Sequence, residues 1–246
     1  MATFQDFKLQ DYCNEVIKEL GFQKPTPIQE KVIPLVLKNR DIIGISQTGT
    51  GKSHAFLLPI MSRIDVNKDC VQAVITAPTR ELAAQLFNNA KTFTKYLPEL
   101  RVSLIVGGSD RQRAVNKLST QPHVVIGTPG RIKDLSLDAQ ALQITTAKTF
   151  VVDEADMTLE FGYLEDIDAV AGKMSDDLQM MVFSATIPQN LRPFLKKYMQ
   201  SPVTIEIDSK LVTTANVEHI LLATKHQDRY DVLKKIMATI DPYICI

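Results

Sequence analysis

Seven short apolar runs do most to limit what this chain can fold into. They occupy residues 42–45, 71–77, 102–106, 123–127, 149–152, 180–183 and 203–207, are rich in Val and Ile, and do not alternate with polar residues. A strand with one wet face alternates. One without alternation is buried on both faces, as in a parallel sheet covered by helices. Between the runs lie amphipathic stretches such as 80–95 and 188–199, the latter with Pro188 suited to a first helical turn. Strand–helix alternation predicts a doubly wound α/β fold, a mostly parallel sheet with helices on both faces and ligand sites beyond the carboxyl ends of the strands.

The flanks differ from this centre. Residues 11–20 are expected to form a helix ended by Gly21, with Pro25 and Pro27 in an extended turn. After Ile207 comes a polar stretch, then a candidate strand at 217–224, a helix at 226–240 and the start of an apolar strand at 243–246. The expected division is an N-terminal region over 1–30, the main domain over 31–208, and a linker with the truncated opening of a second domain over 209–246. A C-terminal helix docked on the first domain is the alternative. Lys plus Arg equals Asp plus Glu, 28 each, so any nucleic-acid site must be local and geometric. Cys13, Cys70 and Cys245 are odd in number and far apart, which argues against a disulfide framework or a zinc site. The four histidines (His54, His123, His219, His226) lack metal-ligand spacing. With no signal-peptide form at the start and no apolar stretch of about 18 residues, the cytoplasm is the expected compartment.

Two segments carry chemistry. Ser46-Gln47-Thr48-Gly49-Thr50-Gly51-Lys52-Ser53 follows an apolar run and opens a helix. Glycines there let backbone N–H groups turn inward around an anion, and the helix N-terminus adds positive potential. Lys52 is placed to reach β- and γ-phosphates, and the Ser53 hydroxyl to ligate Mg2+. Ser46 stands where the generic phosphate-loop pattern has its first glycine. Asp153-Glu154-Ala155-Asp156 follows the run at 149–152. Asp153 suits an Mg2+ anchor and Glu154 a group that orients or deprotonates water; a solvated loop or helix cap is the alternative reading.

Further segments complete a resemblance. Gly21-Phe22-Gln23-Lys24-Pro25-Thr26-Pro27-Ile28-Gln29 resembles the Q motif of DEAD-box RNA helicases, and Phe4 lies seventeen residues before Gly21, where that family has an aromatic. The phosphate loop resembles motif I, Pro78-Thr79-Arg80-Glu81-Leu82 motif Ia, Gly107-Gly108 the GG element and Thr128-Pro129-Gly130-Arg131 motif Ib. Asp153–Asp156 resembles motif II and Ser184-Ala185-Thr186 motif III, all in the family's order. The first domain also resembles the bacterial cold-shock branch.

The resemblance implies a RecA-like P-loop NTPase domain using ATP and Mg2+. Phe4, Phe22, Thr26, Gln29 and the loop from Ser46 to Ser53 (Ser46, Gln47, Thr48, Gly49, Thr50, Gly51, Lys52, Ser53) would hold the nucleotide, Phe4 stacking on adenine and Gln29 reading its edge. Lys52, Asp153 and Glu154 would be catalytic, with Ser53 and Asp153 on the metal. Thr79, Arg80, Gly108, Thr128, Gly130 and Arg131 would contact the RNA backbone without regard to base sequence, and Asp156, Ser184 and Thr186 would couple the two sites. The implied partners are RNA and a second helicase domain, with no membrane; a monomer is expected. This fragment would bind ATP or ADP yet hydrolyse poorly, because the family's second domain supplies arginines to the γ-phosphate. The alternatives are a non-catalytic nucleotide- or protein-binding fragment and a DNA-directed P-loop motor, against which the Q motif and Asp156 argue. Thr158-Leu159 and Phe161-Gly162-Tyr163, where the family commonly has Met-Leu and Met-Gly-Phe, are read as packing changes.

Overall fold

The apolar runs become the strands of one sheet: β1 (Ile42–Ile45), β2 (Ala73–Thr76), β3 (Val102–Ile105), β4 (Val124–Gly127), β5 (Thr149–Val152), β6 (Gln179–Ser184) and β7 (Val203–Glu206). This computed structural model describes residues 2–47, 49–108, 111–207, 223–224 and 228–240. The chain divides into two compact units, Met1–Ser209 and Lys210–Ile246, each described by itself. The sheet belongs to the first. Its order is β3-β4-β2-β5-β6-β1-β7, and every pairing is parallel.

Helices α1 (Asp11–Glu19), α2 (Pro27–Leu37), α3 (Lys52–Met61) and α4 (Arg80–Lys91) precede β3 in the chain. They are followed by α5 (Arg111–Lys117), α6 (Pro129–Lys133), α7 (Ala155–Glu160), α8 (Leu164–Ala171) and α9 (Arg192–Tyr198). Strands β2, β4, β5 and β6 are buried at every position, which is why their sequences do not alternate. Neighbouring residues still point to opposite faces. Ile75, Val151 and Met181 join Val32, Phe56 and Leu86 under α2, α3 and α4. Val74, Phe150 and Val182 join Ile132, Ile167 and Phe194 under α6, α8 and α9. Gly44 of β1 is a close approach, since a Cβ there would stand 2.5 Å from the Phe183 ring, itself packed on Phe56.

Three expectations need correction. Pro27 does not continue an extended turn; it opens α2, with Thr26 as an extended N-cap. A proline suits that position because a first-turn N–H has no helical partner to lose. Pro188 likewise caps from outside, and 188–199 splits into a 3-10 turn, Gln189–Leu191, before α9 begins. Pro193 has no N–H to donate to the Gln189 carbonyl and stands in the first turn of α9, where no helical bond is lost. The stretch 80–95 is α4 followed by a 3-10 turn, Thr92–Lys95. In the second unit α10 spans Arg229–Ile240; the strand expected from 243 and nearly all of that at 217–224 lie outside the described residues. Among those residues no helix is long and apolar enough to cross a membrane.

Candidate nucleotide and nucleic-acid site

β1 runs straight into the phosphate loop. Gly49 and Gly51 take positive φ of 86° and 93°, conformations that a Cβ strongly disfavours. Ser46 is not among the positive-φ residues. Its N–H donates to the Ser184 carbonyl at 3.1 Å, prolonging the β1–β6 ladder, so a side chain is tolerated where the generic pattern has glycine. Its hydroxyl lies 3.0 Å from that of Thr50. Ser53 is half-buried and Gln47 exposed; Thr48 falls outside the described residues.

The segment before α2 is bolted onto this loop. The Gln29 side chain is only 3% exposed. Its Oε1 accepts from the Thr26 N–H at 3.0 Å, and its Nε2 donates to the Gly51 carbonyl at 3.2 Å. A Cβ on Gly51 would come within 2.8 Å of that Nε2, so glycine is required there twice over. The amide keeps one donor hydrogen and one lone pair beyond these two bonds. Phe4 is buried, with its ring nearly parallel to Phe22 at 6.3 Å between centroids. Phe22 is half-buried and meets His54 edge-on at 5.0 Å. His54, in the first turn of α3, is a neighbour that sequence reasoning passed over.

Across the loop stands the acidic end of β5. Lys52, 5% exposed, donates to the Ser46 carbonyl at 3.2 Å and pairs with Glu154 Oε1 at 3.0 Å. Asp153 is buried and accepts from the Glu154 N–H at 3.1 Å. Burial pushes its pKa up to about 7; the Glu154 charge adds to the rise and Lys52 opposes it. Glu154 itself has φ +47°, an uncommon conformation for a residue with a side chain and one that clusters at functional sites.

Asp156 is a hub. Its Oδ2 accepts from the Thr186 N–H at 3.1 Å and the Thr186 hydroxyl at 3.2 Å, its Oδ1 accepts from the Met157 N–H, and its own N–H donates to Ser184 Oγ at 3.0 Å. Burial pulls this carboxyl upward, but the hydrogen bonds prevail and hold its pKa below the ordinary value. The ends of β5 and β6 are thus tied together side chain to backbone.

Farther along the same edge of the sheet an open cleft of about 590 Å³ gathers Thr79, Arg80, Gly107, Thr128, Gly130 and Arg131. Thr79 caps α4, its hydroxyl accepting from the Leu82 N–H at 3.2 Å. The exposed Arg80 lies over the glycine pair: a Cβ on Gly108, whose φ is +88°, would be 2.7 Å from Nη1. Gly108 itself borders a neighbouring cavity along β3. Arg131 is largely buried and pairs with Asp134 at 2.6 Å; Asp134 also pairs with Arg111 at 2.8 Å. Asp134 gave no signal in sequence, yet it holds Arg131 in place, and the Arg111 guanidinium beside it keeps its carboxyl below the usual range. Phe161 and Tyr163 also line the cleft, with Phe161 54% exposed. The change at Phe161 is therefore not one of packing, because its ring lies on a wall and not in the core.

A parallel sheet whose first strand feeds a phosphate loop opposite an acidic strand end defines a RecA-like P-loop NTPase domain. More narrowly, the chain belongs to the DEAD/DEAH box helicase family, whose profile matches residues 26–194. It is similar to the DEAD-box ATP-dependent RNA helicase CshB of Listeria monocytogenes, 51% identical over 246 residues, with 100% of this chain and 56% of that protein covered. The CshB of Bacillus subtilis is 48% identical over 247 residues, with the same coverage of 100% and 56%. The chain therefore spans 56% of the length of these curated relatives. Among solved structures it matches a DEAD box protein from the hyperthermophile Methanococcus jannaschii with TM-score 0.77 and 31% identity, over 96% of this chain and 63% of that one. S. cerevisiae Dbp5 bound to Gle1 matches with TM-score 0.76 and 32% identity, over 85% of this chain and 53% of that one.

Proposed function

We propose that this chain is the ATP-binding half of an RNA-dependent ATPase that unwinds or remodels short RNA duplexes. The observation that carries the reading is Asp156. It follows the acidic pair that faces the phosphate loop and is hydrogen-bonded to Ser184 and Thr186 at the end of β6, while the next strand ends along the same edge feed the cleft of Thr79, Arg80, Thr128 and Arg131.

The chemistry follows from the contacts. An incoming triphosphate would replace Glu154 as the partner of Lys52, drawing the ammonium to the β- and γ-phosphates and freeing the carboxylate to orient or deprotonate a water. Gln29 has the donor and acceptor left to bond an adenine edge, and Phe4 with Phe22 supplies the aromatic surface for its ring. Asp153 and the Ser53 hydroxyl fit Mg2+: both are hard oxygen donors, burial pushes the Asp153 pKa up to about 7 so that a cation beside it would offset the cost of its charge, and this ion takes few protein ligands and keeps its waters. When bound, Mg2+ would neutralise charge on the phosphates. Thr79, Arg80, Gly108, Thr128, Gly130 and Arg131 would hold a sugar–phosphate backbone, with 2′-hydroxyl contacts favouring RNA over DNA.

Within this reading residues 1–30 form the Q-motif region, 31–208 the ATP-binding domain, and 209–246 a linker leading into a second domain, in a cytoplasmic protein. Arg80 and Arg131 both line the cleft, and in this reading both serve the nucleic-acid backbone and not the γ-phosphate. An arginine supplied from elsewhere, worth about 10³ to 10⁵ in rate in phosphoryl-transfer enzymes, would then be required. The test compares ATP turnover, with RNA or DNA added, by residues 1–246 and by the longer protein. Turnover by the shorter chain within about tenfold of the longer one would sink the two-domain mechanism, and equal stimulation by DNA would sink the RNA preference.

A further inference from the structure

We propose that Phe161 is a stacking platform for a nucleobase of the strand lying in the cleft, an inference that rests on the nucleic-acid reading of that cleft. The chain is built to hold this ring outward. α7 ends in a tight reversal: the Gly162 N–H donates to the Leu159 carbonyl at 2.9 Å and the Tyr163 N–H to the Thr158 carbonyl at 3.0 Å. Gly162 takes φ +77° to make the reversal, with nothing within 4 Å of where its Cβ would be. This is the helix stop in which a left-handed glycine satisfies the last carbonyls. It sends Tyr163 back toward the protein, half-buried, and leaves Phe161 as the last residue before the turn, 54% exposed. The two rings meet edge-on at 6.4 Å and 66°, and among the described residues Tyr163 is the aromatic ring that Phe161 touches.

The rest of the cleft shows what that face is for. Arg80, Arg131 and the backbone of Gly107 and Gly130 suit phosphate oxygens, while Phe161 and Tyr163 bring aromatic rings to the same lining. Single-strand sites combine a cationic track for the backbone with aromatic faces for the bases, and such stacking tolerates any base. Phe161 supplies that second half in the same cleft, so binding here is base-dependent but not sequence-selective. A large apolar side chain left half in water beside two guanidiniums fits a base far better than it fits an apolar protein partner, which would have to desolvate those charges.

The test is a fluorescence anisotropy titration with an oligoadenylate of about ten nucleotides, within the usual span of such sites, and with a strand of equal length made of abasic residues. Phe161→Ala is expected to weaken binding of the oligoadenylate by about fivefold to 100-fold, the effect of one lost base stack, and to leave the abasic strand unchanged. Phe161→Trp is expected to restore the oligoadenylate affinity, whereas Phe161→Leu, apolar but not flat, is not. Arg131→Ala is expected to weaken both strands. Unchanged ADP binding by each variant confirms an intact fold. Equal loss on both strands in Phe161→Ala, or no loss with Arg131→Ala still effective, would overturn the stacking role alone. If Arg131→Ala also had no effect, the cleft would not be the nucleic-acid site and the underlying reading would fall with it.

Discussion

Replacing Asp153 by Asn should stabilise the nucleotide-free protein, by an amount that depends on pH. Burial raises the Asp153 pKa from 3.8 to about 7. Below the lower value the folded and unfolded chains both hold the proton, and the contribution of this group to stability is fully present. Between the two values the unfolded chain gives up its proton while the folded one keeps it, so stability falls as pH rises. Above about 7 the folded protein carries a buried carboxylate and the whole cost is present. At about 1.4 kcal/mol per pH unit, that cost approaches about 4 kcal/mol. Asn keeps an oxygen to accept from the Glu154 N–H and carries no charge. At pH 8 with EDTA, Asp153→Asn should therefore gain about 2–4 kcal/mol, roughly 4–16 °C in Tm for a chain of this size. By pH 5 the gain should shrink to less than half. ADP with Mg2+ should narrow the difference at pH 8, since the cation restores a partner to the wild-type carboxylate. Differential scanning fluorimetry across pH 5–8 measures all of this. A variant no more stable than wild type at pH 8, or equally stabilised at pH 5, would refute the argument from burial.

Three further outcomes are expected. Wild type should bind ADP in preference to GDP in calorimetry, and Gln29→Ala should remove about 1–3 kcal/mol of that discrimination; equal affinities in the wild type would dismiss the adenine-reading role. Gly44→Ala places a Cβ 2.5 Å from the Phe183 ring and should cost about 1–3 kcal/mol through overpacking, read as a lower urea midpoint; an unmoved midpoint would mean that β1 and Phe183 have slack the packing does not show. Arg131→Ala should weaken RNA binding alike for different sequences and flatten its salt dependence by about one phosphate contact, whereas a sequence-selective change would indicate that Arg131 touches bases.

What the sequence determines by itself is whatever depends on local pattern or backbone conformation. Non-alternating apolar runs announce strands covered on both faces, because period and burial are properties of neighbouring residues. Gly49 and Gly51 announce a phosphate loop, because glycine without a Cβ readily takes the positive φ that turns backbone N–H groups inward. The acidic quartet after β5 announces a polar edge. Tertiary structure decided what strand order brings together. β1 sits between β6 and β7, which sets Ser46 beside Ser184. Lys52 and Glu154 form an ion pair though they are 102 residues apart. The Gln29 amide is half-committed to Gly51, a contact no motif spells out. Asp134 steadies Arg131, and Phe161 faces the cleft where its sequence position suggested mere packing. Local preferences act over a few residues and are written in order along the chain. Proximity across a sheet is set by which strands pair, and that pairing is a choice the whole molecule makes to bury its apolar faces together.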